Sequence, residues 1–193
     1  MNKQSLLFIL ACSVFCATGC QPKPALSDKA YAKILEAKDK KAIDDAKKES
    51  DKFHLLNDAA KDSYRAGDYE QARTYAEELK AMLPRYDDDW NYGNAIVDVN
   101  VVLGRLALQE NKVDDAKKYL LAAGETTGSP QLNTYGPNMG LALDLLRKGE
   151  SDVVLQFLKQ CTKFWDMGKI DLKQWTDTIN KKKIPDFGEN LYY

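Results

Sequence analysis

Residues 53–84, FHLLNDAAKDSYRAGDYEQARTYAEELKAMLP, decide how this chain folds. Leu56, Ala59 and Ala60 recur at helical spacing, and Ala66-Gly67-Asp68-Tyr69-Glu70 then breaks the pattern. Gly67 can end a first helix in a left-handed cap. Ala72 and Ala76 carry a second helix, which Pro84 closes. The pattern recurs downstream. Asn100-x2-Leu103-Gly104-x2-Ala107 is followed by Ala116-x3-Leu120, and Asn138-x2-Leu141-Ala142-x2-Leu145 by Lys148-Gly149-Glu150 and Val154-x3-Leu158. Small residues at Ala60, Ala72, Gly104 and Ala116 let two helices of a hairpin approach closely, while larger ones fill the gap to the next hairpin.

These positions resemble the tetratricopeptide repeat, a helix-turn-helix unit of about 34 residues. The corresponding positions 72, 116 and 154 lie 44 and 38 residues apart, so extra residues fall between hairpins. They fall at residues 85–94 (RYDDDWNYGN) and within 124–137 (GETTGSPQLNTYGP), both rich in turn formers. The fold expected is all-α: an α-solenoid of about three tetratricopeptide-like hairpins over residues 53–193. Phe157, Leu158, Cys161, Phe164 and Trp165 mark a further helical face. Asp171 and Gln174 resemble a capping box opening a final helix, striped by Leu172, Trp175 and Ile179, that caps the stack. The aromatic tail, residues 184–193, is expected to fold back over the last hairpins. The stretches LLAAGETTGSPQLNTYGPNM and FW-x2-G…IPDFGENL also resemble a module of uncharacterised bacterial tetratricopeptide-like proteins, a resemblance that brings no activity with it.

The N-terminus reads differently. Lys3 precedes the apolar run Leu6 to Phe15, which is too short to span a bilayer but suits a signal sequence. Ala17-Thr18-Gly19-Cys20 follows, and the whole resembles a bacterial lipoprotein signal, although Ala17 stands where leucine is commoner. The alternative is an ordinary secretory signal with Cys20 incidental. The resemblance implies cleavage after residue 19, lipid (diacylglycerol and palmitate-type chains) on Cys20, and, with Gln21 rather than aspartate next, the periplasmic face of the outer membrane. Several acyl chains give stable anchoring where one is marginal. Residues 20–27, with two prolines, form a tether. Residues 28–52 carry eight lysines and seven acids, and read as an exposed helix or helix pair whose apolar positions are Tyr31, Ile34, Leu35, Ala42, Ile43 and Ala46.

Composition excludes more than it assigns. At 193 residues, 44% hydrophobic, with a net charge of −1, the chain supports one domain with a core and no bulk polyanion binding, so no nucleic acid is expected as a partner. Four cysteines are too few for a disulfide scaffold; after cleavage only Cys161 keeps a free thiol, on an apolar stripe where cysteine acts as a small hydrophobe. One histidine, His54, has no nucleophile elbow beside it, and neither a Walker loop nor a dinucleotide fingerprint is present. Asp87-Asp88-Asp89 lacks the alternating oxygens and glycine of a calcium loop and reads as a helix N-terminus. No catalytic residue, metal or cofactor is therefore expected.

What remains is a surface. If first helices line a groove, the positions not used for packing are His54, Asn57, Lys61, Tyr64 and Arg65, then Arg105 and Gln109, then Arg147. Four of these eight are cations and none is an acid, which points to an acidic protein or peptide segment as partner, bound through arginine–carboxylate contacts. Tetratricopeptide-like outer-membrane lipoproteins tend to assist envelope machines, and that resemblance implies such an adaptor role here. The alternative is a small-ligand binder or enzyme using a pocket under the loop 128–138, with Tyr135 and Asn138, and the C-terminal aromatics.

Overall fold

The computed structural model describes residues 27–192; the signal-like segment, Cys20 and the tether up to residue 26 lie outside the described residues. Among the described residues the protein is all-helical. Its α-helices are α1 (Asp28–Asp45), α2 (Glu49–Ala66), α3 (Tyr69–Met82), α4 (Tyr92–Gln109), α5 (Val113–Ala123), α6 (Pro130–Tyr135), α7 (Gly140–Arg147), α8 (Ser151–Cys161) and α9 (Lys169–Asn180). Short 3-10 turns occupy Leu83–Arg85 and Gly188–Leu191.

Periodicity and punctuation explain most of these boundaries. Gly67 and Gly149 adopt left-handed φ angles of 84° and 86° just beyond α2 and α7. Asp68 then caps α3 by accepting the Gln71 N–H at 3.0 Å. Ala72, Ala116 and Val154, in α3, α5 and α8, are all fully buried. Helix α2 packs on α3, α3 on α4, α4 on α5 and α7, and α8 on α5, α7 and α9.

α4 organises the core because it is apolar on nearly every side, as a helix must be when both flanks are covered. Ala95, Val99, Val102, Leu103 and Leu106 join Phe53, Leu56, Tyr75 and Leu79 of α2 and α3. Val97, Val101, Ala107 and Leu108 face the other way, toward Leu120, Leu141, Leu145, Phe157 and Leu158. Each large apolar side chain so buried contributes about 1.5–3 kcal/mol. Cys161 sits fully buried in this second cluster, and burial pushes its thiol pKa far up, which keeps it protonated.

Three local expectations are corrected, and a fourth is given its bounds: the exposed helix or helix pair expected over residues 28–52 is α1, ending at Asp45, followed by the first turn of α2 at residues 49–52. The buried face of α1 is also rotated from the apolar pattern. Tyr31 and Ile34 are 56% and 53% exposed, while Ala32 and Asp39 are buried against α2, since small or slim side chains allow closer approach than Tyr31 would. Within the loop 128–138, Ser129 accepts the Leu132 N–H at 3.0 Å and Pro130 occupies the first turn, so a short helix forms where only turns were expected. α9 begins at Lys169, before Asp171, because Gly168 lies against the Trp165 ring and starts the helix without a side-chain cap. Its stripe of Leu172, Trp175 and Ile179 is buried as expected.

The tail reaches further than the last hairpins. Phe187 inserts beside Trp175, with ring centroids 4.9 Å apart, and Trp175 Nε1 donates to the Asp186 carbonyl. From there the chain crosses to α7, where Met139 N donates to Asn190 O at 2.7 Å, and then to α2, where Arg65 Nη2 donates to Tyr192 O at 2.6 Å.

Candidate functional site

Three elements converge on the side of α2 and α4 away from α3 and α5. His54, Asn57, Asp58 and Lys61 project from α2 at spacings of three and four, one helical face. Asn91, Asn94 and Asp98 come from α4 and the residues just before it, with Trp90 in the middle of the 85–94 insertion. Gln131, Leu132 and Tyr135 of α6, with Asn138, form the facing wall, and Glu189 and Asn190 of the tail close it. Together they enclose a cavity of about 650 Å³, within the size range of ligand pockets.

Hydrogen bonds fix these walls. Ser129 Oγ donates to Asn94 Oδ1 at 2.6 Å, and Asn94 Nδ2 donates to Asn91 Oδ1 at 2.9 Å, which ties the start of α6 to α4. Thr126 Oγ1 donates to the Gly93 carbonyl at 3.0 Å and accepts from Gly128 N. Asn190 Nδ2 donates to the carbonyls of Tyr135 and Pro137 at 2.9 and 3.1 Å, fastening the tail across the end of α6. Gly136 makes that passage possible: its φ of 78° and ψ of −178° suit only glycine, and a Cβ there would lie 2.4 Å from the Trp165 ring.

The electrostatics differ from the sequence expectation. Every proposed groove cation has an acid beside it. Lys61 Nζ lies 3.2 Å from Asp58 and 2.9 Å from Asp98. Burial alone would lower the Lys61 pKa, but Asp98 and then Asp58 more than offset it and hold the ammonium above its ordinary value. Arg65 pairs with Asp62 at 3.1 Å, and Arg105 with Asp144 at 2.8 Å; Arg147 reaches the same Asp144 at 3.6 Å. His54 Nε2 sits 3.0 Å from Asp89 Oδ2, and its ring lies 5.3 Å from Trp90. The last residue of the Asp87–Asp89 run therefore orients a histidine and accepts the Asn91 N–H at 2.8 Å.

Seven of the eight expected groove residues divide into two sets. His54, Asn57 and Lys61 line the large cavity, together with Tyr135 and Asn138 from the alternative loop, so the two candidate sites are one. Tyr64, Arg105, Gln109 and Arg147 line a second cavity of about 400 Å³, where the Arg105 guanidinium stands 4.6 Å from the Tyr64 ring centroid. Arg65 is held by the tail. Sequence reasoning missed Asp58, Trp90, Asn91, Asn94, Asp98 and Glu189, whereas Gln131 belongs to the loop 128–138 of the alternative site. Two of these carried a signal: Asp98 precedes Arg105 by seven residues, two helical turns, and so shares its face, and Trp90 is a large aromatic inside a polar insertion.

No family model, curated protein or solved structure matches this chain. No helix among the described residues is long and apolar enough to cross a membrane.

Proposed function

We propose that this protein is a lipid-anchored adaptor on the periplasmic face of the outer membrane, built as a tetratricopeptide-like stack of three hairpins, that binds a segment of another protein. The pairs α2–α3, α4–α5 and α7–α8 are the three hairpins in this reading, and α9 with the tail is the terminal cap that such stacks need. Cys20 carries the lipid, and the tether sets α1 a short distance from the membrane. The role is binding, without cofactor or catalytic residue, in support of an envelope machine.

One observation carries the reading: the 650 Å³ cavity lies where α2 and α4, the first helices of two hairpins in this reading, face a loop and the tail. Recognition in helical-repeat proteins uses that face. A cavity of this size admits a few residues of an extended segment rather than a whole domain. The closure by α6 and the tail favours a second reading, a small polar ligand held alone.

A photo-crosslinking residue at Tyr135, exposed at 65%, tests both in intact cells, with the same residue at Tyr31 on the outer face of α1 as control. The adaptor reading expects a protein adduct at 135, mapped to one segment, that position 31 does not give. A low-mass adduct at 135 would favour the second reading. Equal adducts at both positions would end the assignment of this cavity.

A further inference from the structure

The cavity has a charge sign that the sequence of α2 alone conceals. Its lining holds three carboxylates, Asp58, Asp98 and Glu189, against one lysine, and that lysine is already engaged by two of them. Setting one cation against three anions leaves the lining at −2, His54 apart, and His54 itself leans on a further carboxylate, Asp89.

Neutral side chains of the wall support the same sign. Asn57 is 7% exposed and stands in the cavity wall. Its Nδ2 donates to Asp98 Oδ2 at 2.9 Å, which fixes that carboxylate in the wall. Trp90 and Tyr135 complete the setting, since both line the cavity with more than half of their surface exposed. Aromatic faces attract cations, and most strongly where water is partly excluded.

We infer that this cavity takes a cationic side chain, the arginine or lysine of a basic peptide segment, with its N–H groups turned to Asp58, Asp98 and Glu189 and its flank against Trp90 or Tyr135. The inference rests on the peptide-binding reading above and gives that reading a sign. Arginine fits best, because a guanidinium offers five donors in a plane and stacks on aromatic rings. An acidic segment, the partner suggested by the cations of the first helices, would instead meet a net negative wall and lose affinity by like-charge juxtaposition.

The test uses the full-length protein and three N-acetylated, C-amidated pentapeptides, glycine except for a central arginine, glutamine or glutamate. Titration calorimetry at low and at physiological salt is the readout. The arginine peptide should bind at least tenfold more tightly than the glutamine one, the glutamate peptide most weakly, and added salt should narrow the gap. The double variant Asp58→Asn/Glu189→Gln should lose most of the preference. Both side chains are exposed, so the variant should keep the wild-type helical signal. Equal or tighter binding of the glutamine or glutamate peptide overturns the inference and leaves the peptide-binding reading intact. An arginine preference that survives in the double variant overturns the placement in this cavity. No binding of any peptide overturns the inference and the reading together.

Discussion

Replacing Asp39 with asparagine should stabilise this protein at pH 7, although the change removes a charge from a heavily charged helix. Asp39 is buried on the α1 face that meets α2, and its pKa is raised from 3.8 to about 6. Burial is the main cause, followed by the charges of Asp62 and Asp58 across the helix contact and a hydrogen bond to Asp62, while Lys38 opposes. One oxygen, Oδ2, has no hydrogen-bond partner at all. A carboxyl group whose folded pKa is raised favours the folded state fully below its unfolded value. That contribution is lost as pH climbs from about 4 to about 6, after which it stays lost. A shift of about two units corresponds at face value to about 3 kcal/mol, and partial solvent screening at the rim of α1 reduces this to roughly 1–2 kcal/mol. Asparagine keeps the shape, carries no charge to desolvate, and can donate an amide hydrogen to Asp62. Urea unfolding of wild type and Asp39→Asn at pH 4, 5, 6 and 7 measures the difference, from which carboxylates common to both proteins cancel. The variant should match wild type near pH 4 and exceed it by roughly 1–2 kcal/mol at pH 7, a rise in Tm of several degrees for a chain this long. A difference independent of pH, or a variant less stable at pH 7, would refute the reasoning.

Cys20→Ser should abolish incorporation of labelled palmitate and release the protein from membranes into the soluble fraction; a wild type that takes up no label ends the lipoprotein reading. Gly136→Ala should cost at least about 2 kcal/mol, from a backbone region alanine avoids and a clash with a rigid indole, visible as a lowered urea midpoint with unchanged slope. A midpoint within error of wild type would show that the Trp165 side can yield. In the native protein Cys161 should resist maleimide until denaturant is added, since burial both covers the thiol and disfavours its thiolate; rapid labelling without denaturant would mean that α8 opens locally.

Helix order was legible because two independent signals agree along most of the chain: apolar spacing near 3.6 and glycine or proline where it stops. The agreement fails where packing rather than hydrophobicity selects the buried face. α1 offers Tyr31 and Ile34, but α2 takes Ala32 and Asp39 instead. Burial of an acid there follows from the close approach of two helix axes, which no single-helix pattern encodes. The short helix α6 was hidden for a related reason: six residues give less than two turns of periodicity, so its proline and serine read as loop chemistry, although the same residues are a helix start.

The candidate face was half legible, and the missing half changes its meaning. Counting along α2, α4 and α7 places seven of the eight expected residues beside one cavity or the other, because helical spacing fixes which residues share a side of a helix. Charge could not be counted the same way. The carboxylate that neutralises Lys61 across the helix contact is Asp98, 37 residues later; that of Arg105 is Asp144, 39 residues later; and Glu189 arrives with a tail that folds across the whole face. A surface read from one helix at a time is therefore a list of donors, whereas the folded surface is a set of donor–acceptor pairs with a remainder. In the large cavity that remainder is acidic. The sign of the remainder, and not the number of arginines, is what a charged partner meets, since a paired cation has already spent its field on its neighbour.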